Sequence, residues 1–154
     1  MQIKIKKLHP DAILPQYATD GAACFDLHAL AVNGSYQIGT LADEYVPIMV
    51  RTGLAFEIPA GHVMLVYSRS GHGFKHDTRL ANCVGVIDSD YRGELMVKLT
   101  TDRECDEPFL PLRVSPGDRV AQAMIVPIPR VELVEADELG ETVRGNGGFG
   151  STGA

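Results

Sequence analysis

The chain has little cysteine, little positive charge and no long apolar run. Cys24, Cys83 and Cys105 are odd in number and form no CxxC pair. That argues against a disulfide frame or a zinc knuckle and for reduced thiols in a cytoplasm. Fourteen Lys and Arg face twenty Asp and Glu, a net charge of −6. Broad nucleic-acid affinity needs clustered cations, so no nucleic-acid partner is expected. Nothing approaches the length of a membrane span. The opening Met1-Gln2-Ile3-Lys4-Ile5-Lys6-Lys7 has no apolar run of signal-peptide length, so a cytoplasmic, membrane-free chain is expected. There is no internal repeat, no heptad pattern, no domain linker and no helical-period run of useful length.

What is present reads as strands. At 154 residues and 45% hydrophobic content the prior is one domain with one core. Met1, Ile3 and Ile5 alternate with Gln2, Lys4 and Lys6 as a half-buried strand. Leu54, Phe56 and Ile58 alternate and stop at Pro59-Ala60-Gly61. Val63 to Tyr67 is continuous, a strand buried on both faces, and Ser68 after it predicts an N-cap for a short helix from Arg69. Pro116-Gly117-Asp118 predicts a turn, Val120 to Ile128 a strand and Val131 to Val134 a last short one. With nine prolines and sixteen glycines between short strands, the fold class is all-β, a sandwich or barrel. Residues 135–154 lose the apolar pattern and end in a glycine-rich tail that is flexible by composition.

The chain is organised around Val84 to Val97. Val84, Val86 and Ile87 read as an incoming strand; Leu95, Val97 and Leu99 alternate with Glu94 and Lys98 as the outgoing one. Asp88, Asp90, Tyr91, Arg92 and Gly93 sit between them, richer chemistry than a turn requires. On this segment alone a solvated hairpin end explains it as well as a site. Tyr67-Ser68-Arg69-Ser70-Gly71 reads either as a capped helix start or as a phosphate site. Gly145 and Gly150, followed by Ser151-Thr152, have the glycine spacing of a phosphate loop without its lysine, so a P-loop NTPase is excluded. Arg144 can supply charge there, backbone amides can converge on an anion, and Phe149 suits stacking on a flat ring. His72 and His76 lie four apart, but no HExxH pattern or third ligand accompanies them, so they read as surface histidines. Arg119 and Gln122 either edge the core or reach a ligand. Asp26, Asp88 and Asp90 are the few oxygen donors that Mg²⁺ with phosphates would need.

Taken together, five segments in order resemble the motifs of the trimeric dUTPase family, over nearly the whole chain. They are Ala22-Ala23-Cys24-Phe25-Asp26-Leu27; Ser68-Arg69-Ser70-Gly71; Gly85-Val86-Ile87-Asp88-Ser89-Asp90-Tyr91-Arg92-Gly93; Pro116-Gly117-Asp118-Arg119-Val120-Ala121-Gln122; and Arg144 with Gly147-Gly148-Phe149-Gly150-Ser151-Thr152-Gly153. Cys24 stands where the family has glycine and Ser68 where it has proline; neither removes a polar group the chemistry uses. The stretch from Asn33 to Met49 looks longer than usual, a surface loop.

The resemblance implies a homotrimer of jelly-roll-like, distorted β barrels with one short helix and active sites between subunits. It implies a β domain over 1–143 and a flexible arm over 144–154 that closes a site. The reaction implied is hydrolysis of dUTP to dUMP and pyrophosphate with Mg²⁺, limiting uracil in DNA and supplying dUMP for dTMP synthesis. Asp88 would activate the water. Asn82, Val86, Tyr91 and Met96 would hold base and sugar, with Tyr91 leaving no room for a 2′-hydroxyl. Arg69, Ser70, Gly71 and Gln122 would take the phosphates, and Asp26 would reach Mg²⁺ through water. Arg144, Gly148, Phe149, Gly150, Ser151 and Thr152 would close the site, Phe149 on the uracil. Two alternatives stand beside it: a dCTP deaminase-like enzyme of the same fold, and a non-catalytic trimeric partner-binding module.

Overall fold

The computed structural model describes residues 1–30, 36–37, 47–101 and 113–148. Its elements in chain order are β1 (Lys4–Lys7), β2 (Gln16–Tyr17), β3 (Phe25–His28), β4 (Tyr36–Gln37), β5 (Ile48–Arg51), β6 (Leu54–Glu57) and β7 (His62–Tyr67). There follow α1 (Ser70–His76), β8 (Thr78–Leu80), β9 (Val84–Ile87), β10 (Met96–Thr101), β11 (Arg113–Val114) and β12 (Arg119–Pro127). The architecture is the expected all-β, jelly-roll-like one. A five-stranded antiparallel sheet runs β2-β3-β12-β7-β9 and a three-stranded one runs β5-β10-β8. β1 pairs with β6 and β11 with β4.

The apolar periodicities explain where the core sits. Val97 and Leu99 of β10 point in while Met96 and Lys98 point out, as period-two alternation requires. Leu54, Phe56 and Ile58 are buried. β7 lies between β12 and β9, and its continuous run is covered on both faces: Val63, Met64 and Val66 are buried and Leu65 half-buried. Leu54, Phe56, Ile58, Met64, Val66, Val97 and Leu99 form one cluster with Leu27, Leu30, Val50, Leu80 and Val120. Gly53, between β5 and β6, adopts φ +68°, and a Cβ there would lie 2.9 Å from the Ala12 Cβ, so only glycine fits the corner. At Pro116-Gly117-Asp118 the expected turn forms, closed by the Ser115 N–H donating to Asp118 Oδ2 at 2.7 Å.

Four expectations are corrected. Ser68 does not cap the helix. α1 starts at Ser70 after an extended Arg69 with no side-chain cap. The Ser68 hydroxyl instead accepts the Leu80 N–H at 2.9 Å, satisfying a strand amide that burial of Leu80 removes from water. Val131 to Val134 is not a strand. Val131, Leu133 and Val134 are 68%, 91% and 75% exposed, and no described strand lies beside them to complete a ladder. The Val84–Val97 segment is not a paired hairpin: β9 pairs with β7, β10 with β5 and β8, and the two runs separate into different sheets. Finally, Asn33–Met49 is not all loop. Tyr36–Gln37 pairs with Arg113–Val114, and Ile48 and Met49 begin β5; residues 31–35 and 38–46 lie outside the described residues.

Candidate active site

One row of side chains crosses the five-stranded sheet. Asp26 of β3 is paired in register with Gln122 of β12, Gln122 with Tyr67 of β7, and Tyr67 with Val84 of β9. Asp26 is buried, and burial of a carboxylate demands partners. It has two: Arg69 Nε donates to Oδ1 at 3.1 Å and Arg119 Nη1 to Oδ2 at 3.2 Å. Gln122 Nε2 donates to the Ser68 carbonyl at 3.0 Å and so ties β12 to the segment carrying Arg69 and Ser70. Two guanidiniums on one carboxylate leave a surplus positive charge beside the exposed Ser70 and Gly71, a place suited to an anion.

The histidines nearby leave that charge to the arginines. Burial, foremost, pushes the pKa of both His28 and His72 below the ordinary imidazole value. Arg119 and Arg69 push His28 further down while Asp26 pulls it up. Arg69 and then His76 lower His72, and Asp118 raises it. The Nδ1 atoms of His28, His72 and His76 are buried without a hydrogen-bond partner. Among the described residues no three His, Cys, Asp or Glu side chains are grouped to hold a metal. His72 and His76, expected at the surface, are half-buried where α1 packs on the body.

The second assembly lies where β9 and β10 part. β9 is the outermost strand of its sheet, and the gap between it and β10 is a cleft of about 470 Å³. Asn82, Gly85, Val86, Leu80, Met96 and Val97 line it, with Lys98 the one charged wall residue among the described residues. At its end a hollow of about 230 Å³ is lined by Asp88, Tyr91 and Glu94, sharing Val86 and Met96 with the cleft. Asp88 follows β9 directly and is exposed; its carbonyl accepts the Tyr91 N–H at 3.2 Å to make the turn. Arg92, whose guanidinium donates to the Ser89 and Tyr91 carbonyls at 2.7 and 2.9 Å, braces that turn rather than reaching outward.

The predicted residues thus fall into two groups in one chain. Asp26, Arg69, Ser70, Gly71 and Gln122 gather at one place; Asn82, Val86, Asp88, Tyr91 and Met96 gather at another. Three strand spacings separate Asp26 from Val84, roughly 14 Å, and the four residues on to Asp88 add roughly 13 Å along the strand. In the C-terminal segment, Arg144 is exposed and its Nε donates to the Gly147 carbonyl at 2.7 Å, while Gly148 is half-buried. Phe149, Gly150, Ser151 and Thr152 lie outside the described residues.

Two side chains join the site that their sequence context does not single out. Arg119, which the sequence leaves open between core edge and ligand contact, is the second partner of Asp26. Glu94 reads as the polar half of an alternating strand, but it lies before β10 and is largely covered, its side chain 14% exposed against Arg51. The signal was there in retrospect: a carboxylate flanked by Gly93 and buried Leu95 is placed where it needs a partner.

Comparison with known proteins gives the family. Residues 10–153 match the dUTPase family. A deoxyuridine 5'-triphosphate nucleotidohydrolase of Nautilia profundicola is 42% identical over 153 residues, covering 99% of each chain. One from Helicobacter pylori strain J99 is 38% identical over 155 residues, covering 99% of this chain and 97% of that one. Among solved structures, the Staphylococcus bacteriophage 80alpha dUTPase with dUPNHPP superposes with a TM-score of 0.84 at 27% identity, over 99% of both chains. The match to the family over most of the length, and the relatives near 40% identity, leave one conclusion: the chain belongs to the dUTPase family.

Proposed function

We propose that this chain is a dUTP diphosphatase, hydrolysing dUTP to dUMP and pyrophosphate by attack of water on the α-phosphorus. The cleft between β9 and β10 would take the uracil, with Asn82 and the main chain of β9 along its edge and Val86 and Met96 as apolar walls. Tyr91, at the end of the cleft, would pack under the deoxyribose and leave no space for a 2′-hydroxyl. Asp88 would accept the proton of the attacking water; it is exposed and its carboxylate carries no described ion pair. Phosphoryl transfer depends on placement and charge neutralisation more than on covalent chemistry, and the cationic Arg69 site, with Ser70, Gly71 and Gln122, supplies both.

The observation that carries the reading is the separation of the two groups. A single triphosphate cannot bring the α-phosphorus to Asp88 and the remaining phosphates to Arg69 of the same chain when they stand roughly 20 Å apart by strand geometry. That separation supports a shared site, in which the base cleft of one subunit would face the arginine cluster of a second in a homotrimer. A third chain's arm, residues 144–154, would close it, with Arg144, Gly148, Gly150, Ser151 and Thr152 on phosphates and Phe149 on the ring; residues 1–143 form the body. The exposed apolar Val131, Leu133, Val134, Leu139 and Val143 support a segment that finds its cover on another subunit.

Mg²⁺ fits this donor set. Among the described residues a single buried carboxylate, Asp26, stands at the phosphate group, as suits an ion held mainly by phosphate oxygens and water. Asp26 would meet the ion through water while holding Arg69 and Arg119 in place. When bound, Mg²⁺ would neutralise the triphosphate and draw electrons from the α-phosphorus. In a cytoplasm the reaction would limit uracil in DNA and supply dUMP for dTMP synthesis. The test is pyrophosphate release from dUTP, dTTP, dCTP and UTP with Mg²⁺, with ammonia measured alongside. Release from dUTP alone supports the reading. Ammonia from dCTP would make the chain a deaminase, and no turnover of any nucleotide would leave a binding module.

A further inference from the structure

The loop that carries Tyr91 is fastened to the corner between β5 and β6, and the fastening runs through a residue to which the reaction gives no role. The Tyr91 hydroxyl donates to the Glu94 carbonyl at 3.0 Å. The Glu94 carboxylate is itself gripped: Arg51 Nη2 stands 2.8 Å from Oε2, Arg51 Nε donates to both oxygens, and the Gly53 N–H donates to Oε1 at 2.8 Å. The next residue continues the anchor. The Leu95 N–H donates to the Leu54 carbonyl at 2.8 Å, and the Leu95 carbonyl accepts from the Thr52 hydroxyl at 2.6 Å. Thr52 is 1% exposed. Glu94 is thus the last loop residue held by a side chain before the main chain enters the core.

Gly93 completes the arrangement. The Tyr91 ring lies over its Cα in the space any Cβ would fill. The ring therefore stands where two things put it: an oxygen fixed by Glu94 and a bare Cα beneath.

We propose that Glu94 is the positioning residue for sugar discrimination: by tying the Tyr91 acceptor to the β5–β6 corner through Arg51 and Gly53, it sets how close the Tyr91 ring comes to the sugar. The inference rests on the reading of Tyr91 as the sugar gate. A steric gate discriminates only as well as it is held, because a ring free to swing away admits the extra hydroxyl. Glu94 touches no reacting atom, so its loss should act on selectivity before turnover.

The experiment compares kcat/KM for dUTP and UTP in Glu94→Gln, Tyr91→Phe, the double variant and Tyr91→Ala, each checked for folding and assembly by circular dichroism and sedimentation. Glu94→Gln keeps an acceptor for the Gly53 N–H and removes the charge that Arg51 grips. Tyr91→Phe removes only the hydroxyl. Glu94→Gln should lower the dUTP:UTP ratio by about tenfold, the worth of one hydrogen bond, chiefly by raising kcat/KM for UTP while its kcat for dUTP stays near parental, and Tyr91→Phe should lower the ratio by a similar factor. The double variant should be no worse than the more damaging single one, since both cut one chain of contacts. Losses that multiply in the double variant, or a parental ratio in folded Glu94→Gln, overturn the proposal. A parental ratio in Tyr91→Ala overturns instead the gate on which it rests.

Discussion

Replacing Gly53 by alanine tests whether the corner between β5 and β6 is as tightly determined as it looks. Gly53 has φ +68°, and an added Cβ would stand 2.9 Å from Ala12 Cβ and 3.1 and 3.2 Å from the two Leu30 methyl carbons. Neither neighbour has an easy retreat, for Ala12 is 2% and Leu30 1% exposed. The left-handed backbone costs about 1–2 kcal/mol for a residue with a Cβ. Overpacking a filled interior costs about 1–3 kcal/mol more. The stiffer unfolded chain returns about 0.4–1 kcal/mol. The net loss is about 1–5 kcal/mol, or roughly 2–20 °C in Tm for a chain of this size. Gly61→Ala is the control. It has φ +76° but nothing within 4 Å of its Cβ position, so it carries the backbone cost without the collision. Thermal unfolding of both variants at one protein concentration separates the two effects. Equal Tm losses in the two variants would show that Ala12 and Leu30 yield freely and would refute the packing half of the reasoning; a parental Tm in Gly53→Ala would refute all of it.

Asp88→Asn should keep dUTP binding and lose roughly 10²–10⁴ in kcat, because the amide is nearly isosteric yet accepts no proton; isothermal titration beside single-turnover kinetics checks it, and parental turnover would make Asp88 structural. Deleting residues 144–154 should leave a folded trimer with most of its turnover gone, since a closing arm excludes water and aligns phosphates. Mixing that truncated chain with Asp88→Asn chains should recover activity in mixed trimers; no recovery after verified subunit exchange would place arm and Asp88 in the same chain's site. The half-buried His72 has its pKa lowered in the fold, foremost by burial, so the unfolded chain takes the proton first as pH falls. Its contribution is complete above about pH 6.5 and is lost as pH drops toward the lower folded value. His72→Gln should therefore flatten the fall of Tm between about pH 7 and 5, and an unchanged slope would assign that fall to other groups.

Much of the fold was legible because burial writes a period into sequence. β10 shows it plainly: Val97 and Leu99 inward, Met96 and Lys98 outward. The same rule could not say which strand each one meets. Val84 to Val97 has the outline of a hairpin, and only tertiary placement sends β9 to β7 and β10 to β5 and β8. Short-range capping preference pointed to Ser68 as a cap, but a strand amide twelve residues on competed for the hydroxyl and won. Val131 to Val134 carries the composition of a strand, yet a strand is a property of two segments, and the second is not in the described chain. At the candidate site, residue types were readable while partnerships were not. Nothing local to Asp26 announces Arg69 and Arg119, which lie 43 and 93 residues away.

The outermost position of β9 has a consequence for how such a protein can change over generations. One side of β9 is hydrogen-bonded to β7; the other faces the cleft with main-chain donors and acceptors. A flat polar ligand lying along that side would be read by atoms common to every amino acid but proline. Only a change to proline, which lacks the N–H, deletes one of them. Mutational drift can reshape the walls at Val86 or Met96, and it can loosen the loop beyond, but the lettering along the strand stays constant unless the strand itself is shifted by an inserted or deleted residue. Selectivity held in this way is inherited with the fold rather than with any side chain.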